Sequence, residues 1–429
     1  MRGRKMFNIL SYGAVGDGLK LNTIEIQKAI DDCFASGGGT VVIPTGTFKT
    51  GTIWLRSNVE LHLEIGATLL ASDNLDDYAP EDAYIQNWSP SKEKWRGRHL
   101  IIAHEIENVA ITGLGKIDGN CLAYVTQYMP ENGPYYVWSN GLTKVNDPQR
   151  LRPGQMICFI ECQHITVSGV TLQNSPCWSC FFHGCEFVSV YGLKINNPID
   201  MLNSDGIDID TCKMVTVSDC IISTGDDAIA IRCDEDKLKN KDIHCEYVAV
   251  SNCYFDSSAC GVRVGVGDGI IRHVRISNIV AKRAGFLVTI QSSYLGIGCA
   301  KIEDVNFSNI SASHADRALT LETGNGAYIK NVTFDNLRAN VAAMSSMICD
   351  DDGVMENVTL RNIELFAADK YCDMTEEKLA ERGDCILKLR GVKKASLENV
   401  QIHNTFVRCA NPLKFDHCGQ ILTKQIDFS

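Results

Sequence analysis

One short frame, x-x-Val/Ile-x-Val/Ile-x-Asn/Gly-x-x-Ile/Leu, recurs along most of this 429-residue chain. It reads ENVAITGLGKIDG from Glu107, QHITVSGVTLQNS from Gln163, EYVAVSNCYFDSS from Glu246 and ENVTLRNIELFAA from Glu356, and most copies lie 23 to 33 residues apart. Period-two alternation predicts short β-strands, and the Asn or Gly between two of them predicts a turn. A unit this short buries its apolar side only by stacking on its neighbours. The expected architecture is therefore an all-β solenoid, a parallel β-helix. An immunoglobulin-like array would instead need hairpin turns about every 8–12 residues.

A solenoid leaves sheet edges and apolar side chains open at its ends. The stretch NTIEIQKAIDDCFASGGGTVVIP offers a cap. Ile24, Ile26, Ala29 and Ile30 fall on one helical face, Asn22 or Thr23 can cap the start, and Gly37, Gly38 and Gly39 end the helix. Strands are expected at Thr40–Ile43 and Val59–Leu63. No linker or composition break divides the chain, so it reads as one domain over 1–429. The cap and first strands take about 1–50 and the coils 51–429, with insertions near 80–100 and 121–155 that would wall a cleft.

Hydrophobic content of 45% fits a chain with a large core. The segment MRGRKMFNIL is basic but lacks the apolar run of a signal peptide, and nothing downstream has the length and apolarity of a membrane-spanning helix. A net charge of −11 argues against a nucleic-acid partner and gives no general attraction to a polyanionic polymer. The 19 cysteines, many at apolar positions of the frame, read as buried free thiols rather than disulfides or a zinc site. That favours a reducing, cytoplasmic location unless a leader was removed.

Two consecutive copies of the repeat carry NSDGIDID and TGDDAIAIR, which place Asp205, Asp226 and Asp227 on adjacent coils. Like charges gathered on one patch repel, so such a group must hold protons, meet cations or surround a polar ligand. Glycoside hydrolysis needs this chemistry: one carboxylic acid for the leaving oxygen and carboxylate for the attacking water. A solvated acidic face is the plainer explanation, and the surrounding motifs weigh against it.

YGAVGDG (Tyr12–Gly18), GLGKIDGN (Gly113–Asn120), NSPCW (Asn174–Trp178), NSDGIDID and GDDAIAIR together resemble glycoside hydrolase family 28, the polygalacturonase family. The likeness runs from about residue 7 to beyond residue 400. It implies a pectin-lyase-like, right-handed parallel β-helix with an open cleft, hydrolysis of α-glycosidic bonds with inversion, and no metal or other cofactor. Carried over by motif, Asp226 is the general acid, while Asp205 and Asp227 hold the attacking water. Asn203 belongs to the same Asn-x-Asp motif and is a candidate sugar contact.

Aligning Ile207 and Ile209 with Ile229 and Ile231 stacks Asp205 on Asp227 and Asp210 on Arg232, and leaves Asp226 on a bend. Arg232 is then a structural ion-pair partner or a substrate contact. An inverting pair is expected about 6.5–9.5 Å apart.

Two departures from the family pattern bear on the substrate. Where the family has Gly-His-Gly, this chain has Ala259-Cys260-Gly261, and where it has Arg-Ile-Lys, residues 286–291 read FLVTIQ. A buried sugar carboxylate without a cation is costly. Either the reacting sugar is neutral, such as rhamnose, or Arg263 supplies the charge from the cleft side; pairing of Arg263 with an aspartate is the alternative. Gln291 at the former cation position and Trp178 after NSP complete the expected substrate contacts, although Trp178 would equally pack beneath a loop. His183, His244 and His273 read as structural, and GVGDG (Gly265–Gly269) as a turn.

The expected activity is thus an inverting, exo-acting hydrolase of pectin-derived oligosaccharides, with galacturonate as the runner-up sugar. A catalytically weak glycan-binding β-helix is the rival from another class, and a calcium-dependent β-eliminating lyase a third. Oligomerisation stays open.

Overall fold

The computed structural model describes residues 5–80, 97–127, 143–147, 151–235, 238–241, 244–293, 298–368, 385–405, 409 and 411–429. Successive repeats stack as parallel strands in a right-handed β-helix. Strands Gln163–Ser168, Thr171–Gln173 and Cys180–His183 pair in register with Glu186–Tyr191, Lys194–Asn196 and Ile207–Asp210 of the next coil. Each coil thus adds one strand to each of three faces.

Alternation turns one residue set into the core. Ile101, Ile157, Cys180, Ile207, Ile229, Val262, Val288 and Leu319 form one in-register column, all of them buried. Burying such a side chain stabilises by about 1.5–3 kcal/mol relative to exposure. Stacked rings fill wider places, as in Phe159 on Phe182 (5.1 Å) and Phe307 on Phe334 (4.9 Å).

The Asn/Gly position of the frame has a backbone cause. Asn252, Asn278, Asn309, Asn336, Asn362 and Asn399 all lie at φ between 53° and 57°, where Asn tolerates the left-handed turn better than other side chains. Their amides bond up the stack: Asn278 donates to Asn252 (3.1 Å), Asn309 to Asn278 (3.1 Å) and Asn336 to Asn309 (2.8 Å).

Helix α1 (Thr23–Ala35) closes the N-terminal end, burying Ile26, Ala29, Ile30 and Cys33. Ile24, expected on that face, is 80% exposed. It lies in the first turn, where only the i, i+3, i+4 stripe from Ile26 reaches the coil. Asn22 precedes the helix without capping it; its side chain accepts from the Val15 N–H and donates to the Lys20 carbonyl. Thr23 likewise turns away, accepting from the Gly51 N–H. Gly37 follows the capping Ser36 in the left-handed region (φ 93°), and at Gly38 beyond it (φ 100°) a Cβ would meet the Asn58 carbonyl oxygen at 2.4 Å. The strands that follow are Gly39–Ile43 and Val59–Leu63.

Most of the two expected insertions lies outside the described residues. Of the second, Val125–Gln127 and Thr143–Val145 form a small antiparallel pair, and Tyr124 and Val125 pack on Met201. The 18 described cysteines are free thiols, 15 of them buried. No described helix is long and apolar enough to cross a membrane.

Candidate active site

The site grows from two neighbouring strands. Ile207–Asp210 pairs with Ile229–Cys233 so that Ile207 meets Ile229 and Asp210 meets Arg232. The Gly206 N–H donates to the Asp227 carbonyl, which carries the same register back to Asp205 beside Asp227. Gly225 and Asp226 form a bend ahead of the second strand. Gly225 is required there: a Cβ would lie 2.3 Å from the Met201 carbonyl oxygen. The bend is held by hydroxyls, since Thr224 and Ser257 both donate to the Asp226 carbonyl (2.7 Å each) and Ser204 accepts from the Gly225 N–H (2.9 Å).

The outcome is a trio in which one oxygen from each of Asp205, Asp226 and Asp227 lies within 4.8 Å of the others. This is closer than the about 6.5–9.5 Å of a two-carboxylate inverting arrangement. Strand spacing of about 4.8 Å accounts for Asp205 beside Asp227, and the bend brings Asp226 to the same group. Asp205 and Asp227 are buried while Asp226 is half-buried. Burial, followed by the charges of Asp226, Asp208 and Asp227, pushes the Asp205 carboxyl well above the usual range. Burial thus outweighs the like-charge repulsion expected from the sequence.

The residues expected to grip a sugar are largely engaged within the protein. Arg263 is 6% exposed; its Nε bonds Asp227, its Nη2 reaches Asp227 Oδ1 (3.3 Å) and Cys260 Sγ (3.2 Å), and its Nη1 donates to Gln291 Oε1 (2.6 Å). Gln291 in turn donates to Glu322 (2.7 Å). Arg232 pairs with Asp210 (3.3 Å) and lies 4.7 Å above the Trp178 ring, whose edge packs on Phe181. The structural readings of Arg232 and Trp178 therefore fit better than sugar contacts. Asn203 sits at φ 49° and accepts from Arg152 (3.0 Å). Burial lowers the pKa of His183, and its Nε2 lies 2.9 Å from the Asp234 carbonyl oxygen.

Beyond Asp227 the same face opens into a cavity of about 690 Å³, lined by Cys260, Arg263, Phe286, Thr289, Gln291 and Glu322 among others. Farther along it lie Asp350, Asp352 and Arg390, with Arg390 bound to Asp350 (3.1 Å).

Four residues escaped the sequence reading. Arg152 is a buried cation whose Nη1 donates to the Pro176 and Leu202 carbonyls; nothing in its sequence surroundings signals these backbone partners. Glu322 is in register with Gln291, so aligning LTLETG beneath VTIQSS would have found it. Arg317 stacks on Phe286 at 5.5 Å, one coil beyond the stretch inspected for a cation. Asp208 stands in plain view in NSDGIDID, on the outward side of its strand.

The sequence profile of Glycosyl hydrolases family 28 matches residues 33–378. The chain belongs to that family. Among its relatives, the exo-poly-α-D-galacturonosidase of Dickeya chrysanthemi is 29% identical over 308 residues, 65% of this chain and 50% of that enzyme. Solved structures share its fold. The exopolygalacturonase of Thermotoga maritima superposes with a TM-score of 0.59 at 21% identity, covering 98% of this chain and 92% of that one. The family 28 exopolygalacturonase of Yersinia enterocolitica gives 0.62 at 18% identity, covering 99% and 78%. The chain spans from half to just under two thirds of the length of the first curated relatives it matches.

Proposed function

We propose that the chain is an exo-acting family 28 hydrolase that cleaves α-galacturonide bonds in pectin-derived oligosaccharides. The observation that carries this reading is the trio itself, two buried carboxylates and a half-buried third, joined through Asp227 to Cys260 and Arg263, which line a cavity of about 690 Å³. Asp226, the most accessible of the three, protonates the leaving oxygen. Asp205 and Asp227 orient and deprotonate the attacking water. Exo-action and galacturonate are supported by the names of the Dickeya, Thermotoga and Yersinia enzymes. Besides Arg263, Arg390 lines the cavity and Arg317 stacks on its lining residue Phe286, so these are the further cations at hand for a uronate.

A second reading, a neutral reacting sugar such as rhamnose, is favoured by one observation. Arg263 is spent on Asp227, and Glu322, Asp350 and Asp352 place further negative charge around the cavity. Purified protein incubated with oligogalacturonates, rhamnogalacturonan oligosaccharides and aryl α-L-rhamnoside decides between them. Galacturonic acid as the preferred product supports the first reading, and rhamnose the second. Absence of any reducing sugar, with glycan binding retained, would turn the assignment to a binding module. Following the product anomer by proton NMR in the first minutes tests inversion.

A further inference from the structure

The geometry points to Arg263, braced by Gln291 and Glu322, as a positioning residue that holds the Asp227 carboxylate for water activation; the role rests on the hydrolase reading above. Arg263 faces outward from its strand, and its in-register neighbour is the small Ala230. From there its fork closes on Asp227 through both Nε and Nη2. Bidentate contact fixes the orientation of a carboxylate as well as compensating its charge. Asp227 Oδ1 also accepts the Cys260 N–H (3.2 Å), so both of its oxygens are constrained. The far side of the guanidinium is tied to Gln291, which is tied to Glu322, each contribution coming from a successive coil. A guanidinium used this way has little of its fork left for a sugar carboxylate, and its charge offsets one of the three crowded aspartates. Cys260, where the family pattern has His, reaches that carboxylate with its backbone N–H and thiol but brings no charge, and Arg263 supplies it.

The test compares Arg263→Ala, Arg263→Lys and Gln291→Leu with the wild type on trigalacturonate and on aryl glycosides. For Arg263→Ala, kcat is expected to fall by at least about tenfold while KM changes little, because the loss is in base catalysis. The acidic limb of the kcat/KM profile should move up by about one pH unit or more, since the trio then carries its charge uncompensated. Added guanidinium ion should restore part of kcat, and Gln291→Leu should shift the limb in the same direction by less. A rise in KM with kcat and the pH profile unmoved would make Arg263 a substrate contact and overturn the proposal. A substrate-free arm separates this from failure of the hydrolase reading. Thermal unfolding of Arg263→Ala, Asp227→Asn and the double variant should show the double variant recovering most of the stability lost in Arg263→Ala. Simple additivity would overturn the pairing even in a protein that hydrolyses nothing.

Discussion

Asp208 is fully buried on the outward side of its strand, between Phe181 and Ala230 of the neighbouring coils, and neither carboxylate oxygen has a hydrogen-bond partner among the described residues. Burial raises its pKa well above the usual range; nearby Arg232 opposes the rise, while Asp227, Asp210 and Asp226 add to it. Between the unfolded value of about 3.9 and the raised folded value, the native state keeps a proton that the unfolded chain releases, so stability falls as pH rises through that window. Asp208→Asn should therefore unfold at higher temperature than the wild type at pH 7, with the difference vanishing below about pH 4, as scanning calorimetry would show. Asp226 calls for a kinetic test. Asp226→Asn should slow unactivated glycosides by about 10²–10⁴-fold and aryl glycosides with good leaving groups far less, because an amide delivers no proton. Equal slowing of both would remove Asp226 as the general acid.

At the scale of elements, turns decide which residues meet. Asn309→Ala puts a side chain with no local hydrogen bond into the left-handed turn and breaks two links of the amide stack, and should cost about 1–3 kcal/mol in urea unfolding. Asn309→Gly should cost less, since glycine accepts that turn. Gly225→Ala should abolish activity while leaving the far-ultraviolet circular dichroism unchanged, because the Met201 carbonyl forces the bend, and Asp226 with it, to move. Strand register was legible because Ile207, Ile209, Ile229 and Ile231 can face the core in only one alignment, and that alignment carries Asp205 to Asp227. Alternation gives the face of a side chain but not the destination of a long one. It brought Arg263 to the cleft side and left open whether the guanidinium would meet sugar or aspartate. Arg152 was illegible for a related reason, as its buried partners are carbonyls 24 and 50 residues away. Ile24 was misplaced because helical periodicity does not say where the supporting coil ends.

Over the whole molecule, strand pairing links each coil only to its neighbours, so stability is distributed along one axis, although a few contacts reach farther, such as Lys239 with Glu105 and Glu161. Hydrogen exchange should be slowest in central strands such as Ile207–Asp210 and Ile229–Cys233, and faster in Gln420–Phe428, whose residues are mostly exposed. Uniform protection from one end to the other would contradict a nearest-neighbour solenoid. The chain of contacts from Asp227 through Arg263 and Gln291 to Glu322 takes one residue from each of four successive coils. Solenoids lengthen and shorten by gain or loss of whole repeats, and such an event is harmless only where no contact depends on a particular coil. Inside that four-coil stretch, a duplicated or deleted repeat would separate the aspartate from its arginine. The same holds upstream, where Asp205 meets Asp227 and Glu105 meets Lys239, so the repeat count from residue 105 to residue 322 is locked in any descendant of this chain.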